Sequence, residues 1–124
     1  MGTLILPSSG AVYVDADCVI YSVEKIQPYS SLLQVMWQTA QSGNIEIISS
    51  ELTLLETLIK PLQQRDVHLE RLFRELLLAS EEVRLLPVAR AVLERAAQLR
   101  AETGLKTPDA IHAATALEGQ CALF

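Results

Sequence analysis

The sequence predicts an α/β domain of three layers, α/β/α, with a central parallel sheet and helices on both faces. Short aliphatic and β-branched runs alternate along the chain with longer stretches at helical spacing. Ser, Gly, Asn or Pro marks most of the breaks between them. The chain has 124 residues, half of them hydrophobic, enough for one core and hardly two. No linker, repeat or low-complexity stretch divides it, so residues 1–124 read as a single domain.

Residues 11–14, AVYV, are bounded by Ser8, Ser9 and Gly10 before and by Asp15 after, which predicts a buried first strand with an acid at its carboxyl end. Leu32, Leu33, Val35, Met36, Trp37 and Ala40 follow helical spacing, and Ser42, Gly43 and Asn44 stop that helix before a second strand at 45–48. Ser49 and Ser50 are good caps for a helix in which Leu52, Leu55 and Ile59 recur, with Glu56 beside the stripe and Pro61 closing it. A further amphipathic helix is predicted over 67–78 and a strand over 83–86. Another helix covers 88–100, with Val92, Leu93, Ala96 and Leu99 facing inward. Thr107 as cap, Pro108 in the first turn and Asp109 at the positive dipole end predict the start of a last helix. Its alanines permit close approach to a neighbour, Gly119 ends it, and a strand is expected from Cys121 to the last residue.

Formal net charge is −5, the wrong sign for binding nucleic acid through a broad basic surface, so any such contact must be local. Arg90, Arg95 and Arg100 are expected on an exposed helix face rather than in a nucleic-acid track. Cys18 and Cys121 have no CxxC spacing and no histidine cluster, which excludes a zinc knuckle or a disulfide framework and predicts two reduced, buried thiols. No stretch has the length or apolarity of a membrane span, and the first residues carry no basic leader, so a cytoplasmic protein is expected.

Open parallel sheets place ligands at the carboxyl ends of their strands. Asp15 holds that position, and Glu56 and Asp109 are placed to converge on the same end. Three anions so gathered repel unless a cation neutralises them, which points to Mg2+ or Mn2+, ions that take oxygen ligands. Each acid also has an ordinary structural role: Asp15 as a cap, Glu56 as a solvated helix residue, Asp109 as a helix-start acid. Asp17 either adds to the metal site or caps a following short helix. Lys106 is a candidate for substrate phosphate, and His112 is expected as a packed residue with a satisfied ring, outside the catalytic set.

VYVDADCVIY, SELTLLETLIKP and KTPDAIHAATA together resemble the three acidic motifs of the PIN-domain family, and the similarity runs from about residue 12 to 124. It is greatest to the small VapC-type toxins of toxin–antitoxin pairs. The resemblance implies a metal-dependent endoribonuclease that hydrolyses RNA phosphodiester bonds. Asp15, Glu56 and Asp109 would be its catalytic, metal-binding acids. RNA is then the substrate, an antitoxin a partner, and the aliphatic surface is consistent with a homodimer. Asp17 stands where the family often has a small polar residue, and the sequence stops at CALF, where the family usually continues to a fourth acid. The domain is therefore expected to be C-terminally incomplete, its last strands cut short. That allows a second reading, a catalytically incomplete binding or dimerisation module. A third follows from DxDxV, which also resembles haloacid-dehalogenase-like phosphatases: Asp15 would be nucleophile, Asp17 acid, and Ser49 and Lys106 phosphate ligands, though the late pair of acids is missing.

Overall fold

Strand and helix alternate along the computed structural model, which describes residues 6, 7 and 9–121. The elements are β1 (Ala11–Tyr13), α1 (Ala16–Val23), α2 (Tyr29–Gln41), β2 (Glu46–Ser50), α3 (Glu51–Gln64), α4 (Val67–Arg74), β3 (Val83–Leu86), α5 (Arg90–Thr103) and α6 (Thr107–Glu118). A π-helical turn, Glu75–Ala79, continues α4. The strands are parallel and ordered β1-β2-β3, with Val12 beside Ile47 and Ile47 beside Val83. Parallel neighbours cannot be joined by a tight turn, so helices fill each crossover.

Side chains alternate across the sheet. Val12, Val14, Ile47 and Val83 share one core with Val19 of α1, Met36 of α2, Leu58 of α3 and Phe73 of α4. Tyr13, Ile48 and Leu86 form a cluster with Ala116 of α6. Both faces are covered, and the three layers expected from the sequence are present. Ala110 and Ala114 of α6 are fully buried and admit Val92 and Ala96 of α5, the close approach their small side chains predict. Gly119 serves the same end, since an added Cβ there would lie 3.1 Å from Leu86 Cδ1. No described helix is long and apolar enough to cross a membrane.

Several local expectations are corrected. Helix α1 starts directly after Asp15, which caps it, two residues before the short helix that Asp17 was expected on one reading to cap. Pro61 does not close α3 but lies buried within it. The helix runs on to Gln64 and ends at Arg65 in the left-handed region, where the Arg65 and Asp66 N–H groups return to the Leu62 and Pro61 carbonyls. One N–H is missing at the proline, and packing outweighs its loss. The apolar stripe of α3 faces inward only in part: Leu52 packs against the α5–α6 core, but Leu55 and Ile59 are 59% and 47% exposed, whereas Thr53 and Thr57 are buried. Their hydroxyls are satisfied locally, Thr53 by Ser49 at 2.7 Å and Thr57 by the Leu54 carbonyl at 3.2 Å, so a polar residue type occupies the core without penalty. Leu93 is likewise exposed. Thr107 is not the cap of α6; Lys106 takes that position, and the Thr107 hydroxyl instead accepts from Arg100. Of the strand expected at the chain's end, residues 122–124 lie outside the described residues.

Candidate active site

Asp15 follows β1 in extended conformation, and its Oδ1 accepts the Cys18 N–H at 3.1 Å, capping α1. The strand that delivers it is held to β2 as far as Val14, whose N–H donates to the Ile48 carbonyl. Burial first, and the Asp15 charge second, push the Cys18 thiol from its ordinary 9.0 up to about 12. Both cysteines are free thiols, but only partly buried where full burial was expected. A raised thiol pKa contributes stability that is complete below pH 9 and declines above it, because the unfolded chain ionises first. Melting temperature should therefore fall as pH rises from about 9 to 11, and Cys18→Ala should flatten that fall. An unchanged pH profile in the variant would show that Cys18 is not its source.

Glu56 stands on α3, in the helix that β2 launches through the Ser50 cap. Its Oε1 lies 2.6 Å from His112 Nε2, across 56 residues of sequence. His112, 4% exposed on α6, meets Tyr13 Oη with its Nδ1 at 2.5 Å. Burial raises the Tyr13 hydroxyl well above its ordinary range, against the pull of Thr115 and Ser49, and the Asp15 charge raises it further. Tyr13 therefore stays a phenol. In the neutral ring its O–H donates to Nδ1, and the ring hydrogen on Nε2 donates to Glu56. The expectation of a packed histidine with a satisfied ring agrees with this arrangement.

Asp109 is exposed in the first turn of α6, one turn before His112 and so about 4.5 Å from it along the axis. Asp17 is exposed in the first turn of α1, and its charge is the main cause that raises the half-buried Tyr21. Arg100 donates to the Leu105 carbonyl at 2.8 Å and to Thr107 at 3.0 Å, pinning the turn that leads into α6. Arg95 pairs with Glu118. These arginines hold α5 to α6 rather than form a track. Ser49 is fully buried, with its hydroxyl donated to the Val14 carbonyl at 2.6 Å. It is turned away from any phosphate, against the phosphatase reading.

The three sequence-predicted acids are thus brought to neighbouring elements. Among the described residues no three His, Cys, Asp or Glu side chains form a group that could hold a metal ion. What joins their carriers is Tyr13–His112–Glu56: Asp15 lies two residues after Tyr13, and Asp109 one turn before His112. Uncompensated carboxylates repel, and the Glu56 carboxylate has turned to His112. The donor chemistry fits a hard divalent cation. Glu56 Oε2 and both Asp109 oxygens accept no hydrogen bond among the described residues, while the thiol at Cys18 is locked in its protonated form. Sequence reasoning set His112 outside the catalytic set and did not single out Tyr13, so the link between the elements that carry the acids was not foreseen. Their spacings, three residues from Asp109 and two from Asp15, were the available signal.

A parallel α/β/α sandwich with acids on the elements that leave the strands' carboxyl ends defines a class of domain suited to polar ligands at that edge. Within it, the chain belongs to the PIN domain family, which it matches over residues 12–124. No curated protein matches it. Among solved structures it is similar to a toxin–antitoxin complex from Klebsiella pneumoniae, at 22% identity and a TM-score of 0.63, covering 94% of this chain and 83% of that one. It also resembles VapBC2 from Rickettsia felis bound to a DNA fragment from their promoter. There the identity is 12% and the TM-score 0.67, over 92% of this chain and 85% of that one. At these identities the likeness is one of fold.

Proposed function

We propose that this PIN domain is a metal-dependent endoribonuclease, the toxin of a toxin–antitoxin pair, acting on RNA in the cytoplasm. Asp15, Glu56 and Asp109 are its catalytic acids and hold Mg2+ or Mn2+, with Asp17 adding to them from the first turn of α1. The observation that carries the reading is the Tyr13–His112–Glu56 contact, which ties the strand that Asp15 follows to the two helices on which Glu56 and Asp109 stand. A bound divalent cation supplies activation of water and stabilisation of charge developing on phosphate. The chain's own part is orientation. Asp15 is fixed by the cap it makes, Glu56 by His112, and Asp109 by the first turn of a helix that buried alanines hold against α5.

With a net charge of −5, the protein has to engage RNA locally, and exposed Lys106, three residues before Asp109, is the cation we assign to substrate phosphate. Both similar structures are of toxin–antitoxin assemblies, which supports an antitoxin partner here. Leu55, Ile59 and Leu62 expose an apolar strip along α3 that suits such a partner or a second copy of this chain.

Structured RNA incubated with the purified chain and Mn2+ should be cut, chelation should stop the cutting, and an aryl phosphate should survive. Intact RNA together with no calorimetric binding of Mg2+ or Mn2+ would replace the nuclease by a binding or dimerisation module. Turnover of the aryl phosphate would favour the phosphatase.

A further inference from the structure

We propose that His112 is a positioning residue, a tether that sets the orientation of Glu56 and its distance from the strand carrying Asp15. The inference rests on the metal-nuclease reading above and extends it to a side chain that is not itself an acid. A glutamate has three side-chain torsions, and one at the border of a helix face ordinarily samples several rotamers. Glu56 is held by a short bond from Nε2 to Oε1, and the ring that holds it is itself fixed at its far side: His112 is buried, and its other nitrogen is taken by Tyr13. The bond engages Oε1 and leaves Oε2 without a hydrogen-bond partner among the described residues. A carboxylate that must share a cation with others is better presented with one oxygen anchored than with both free to turn.

The position of the ring matters as much as its bonds. Tyr13 comes from β1, Glu56 from α3 and His112 from α6, so one imidazole links the strand that Asp15 follows to the two helices that bear Glu56 and Asp109. A short apolar side chain at 112 would preserve the packing of α6 and lose both bonds. Glutamine would keep a donor nitrogen near the place of Nε2 and lose most of the link to Tyr13. The acids are therefore expected to respond to these two changes differently, which simple packing would not require.

The experiment is Mn2+ binding by calorimetry, without RNA, to wild type, His112→Leu, His112→Gln and Tyr13→Phe, with circular dichroism and melting to confirm folding. His112→Leu should bind Mn2+ at least about tenfold more weakly than wild type. His112→Gln should recover most of that loss, and Tyr13→Phe should show a smaller one. Turnover of RNA at saturating Mn2+ should fall less than metal affinity, since the acids themselves remain. A folded His112→Leu that binds Mn2+ like wild type, or a His112→Gln no better than His112→Leu, would overturn the tether and leave the nuclease reading standing. Absence of Mn2+ binding by the wild type would overturn both. Should His112→Leu melt below the assay temperature, wild-type affinity in Tyr13→Phe and His112→Gln that stays weakened would overturn the tether on its own.

Discussion

Replacing Asp15 by Asn is expected to lower RNA cleavage by about 10²–10³-fold while leaving the melting temperature near that of the parent. The two effects separate because Asp15 does two jobs. As a cap it offers Oδ1 to the Cys18 N–H, and Asn offers the same oxygen with nearly the same preference. As a proposed ligand it contributes a negative charge, which the amide lacks. Asp15→Ala should lose both, with an added stability cost of about 1 kcal/mol. Initial rates with Mn2+, measured beside a thermal melt of each variant, make the comparison. Full cleavage by folded Asp15→Asn would reduce Asp15 to a cap and remove the first of the three acids from the proposed site.

Phe73→Ala is expected to cost about 3–5 kcal/mol, a large part of the 5–15 kcal/mol that typically holds a domain of this size. Phe73 is 1% exposed, the largest of the fully buried side chains, and it joins α4 to the core beneath Val12, Ile47 and Val83. Little can collapse into the space it would leave, because its neighbours belong to strands fixed by their ladder. The shift in urea midpoint at constant slope reads the effect directly. A loss under about 1 kcal/mol would mean that α4 is not packed on the sheet as described.

Much of the fold was legible because it depends on short-range patterning. β3 spans 83–86 as its aliphatic run predicts, and β2 differs from its expected span only at the ends. Helix α6 begins at Thr107 and ends before Gly119, as Thr, Pro and Gly signal, although the cap itself is Lys106. The failures share a cause. Thr53 and Thr57 turn inward where Leu55 and Ile59 were expected, because a hydroxyl with a local partner can be buried and hydropathy alone does not register the partner. Helix α1 is short, and two neighbouring acids could each cap it; the cap is Asp15 and not Asp17, so the helix starts two residues earlier than the second of them allows.

The candidate site divides along the same line. The sequence by itself determined that acids follow the first strand, enter the helix after the second and open the last helix, because each placement is written in neighbouring residues. Only the tertiary structure decided that Glu56 meets His112 and that His112 meets Tyr13, pairs separated by 56 and 99 residues. Those contacts depend on how closely α6 lies against β2 and α3, which its buried alanines permit but do not aim. Periodicity states which side of a helix is apolar; the direction in which a buried imidazole points is set by the packing of three elements at once.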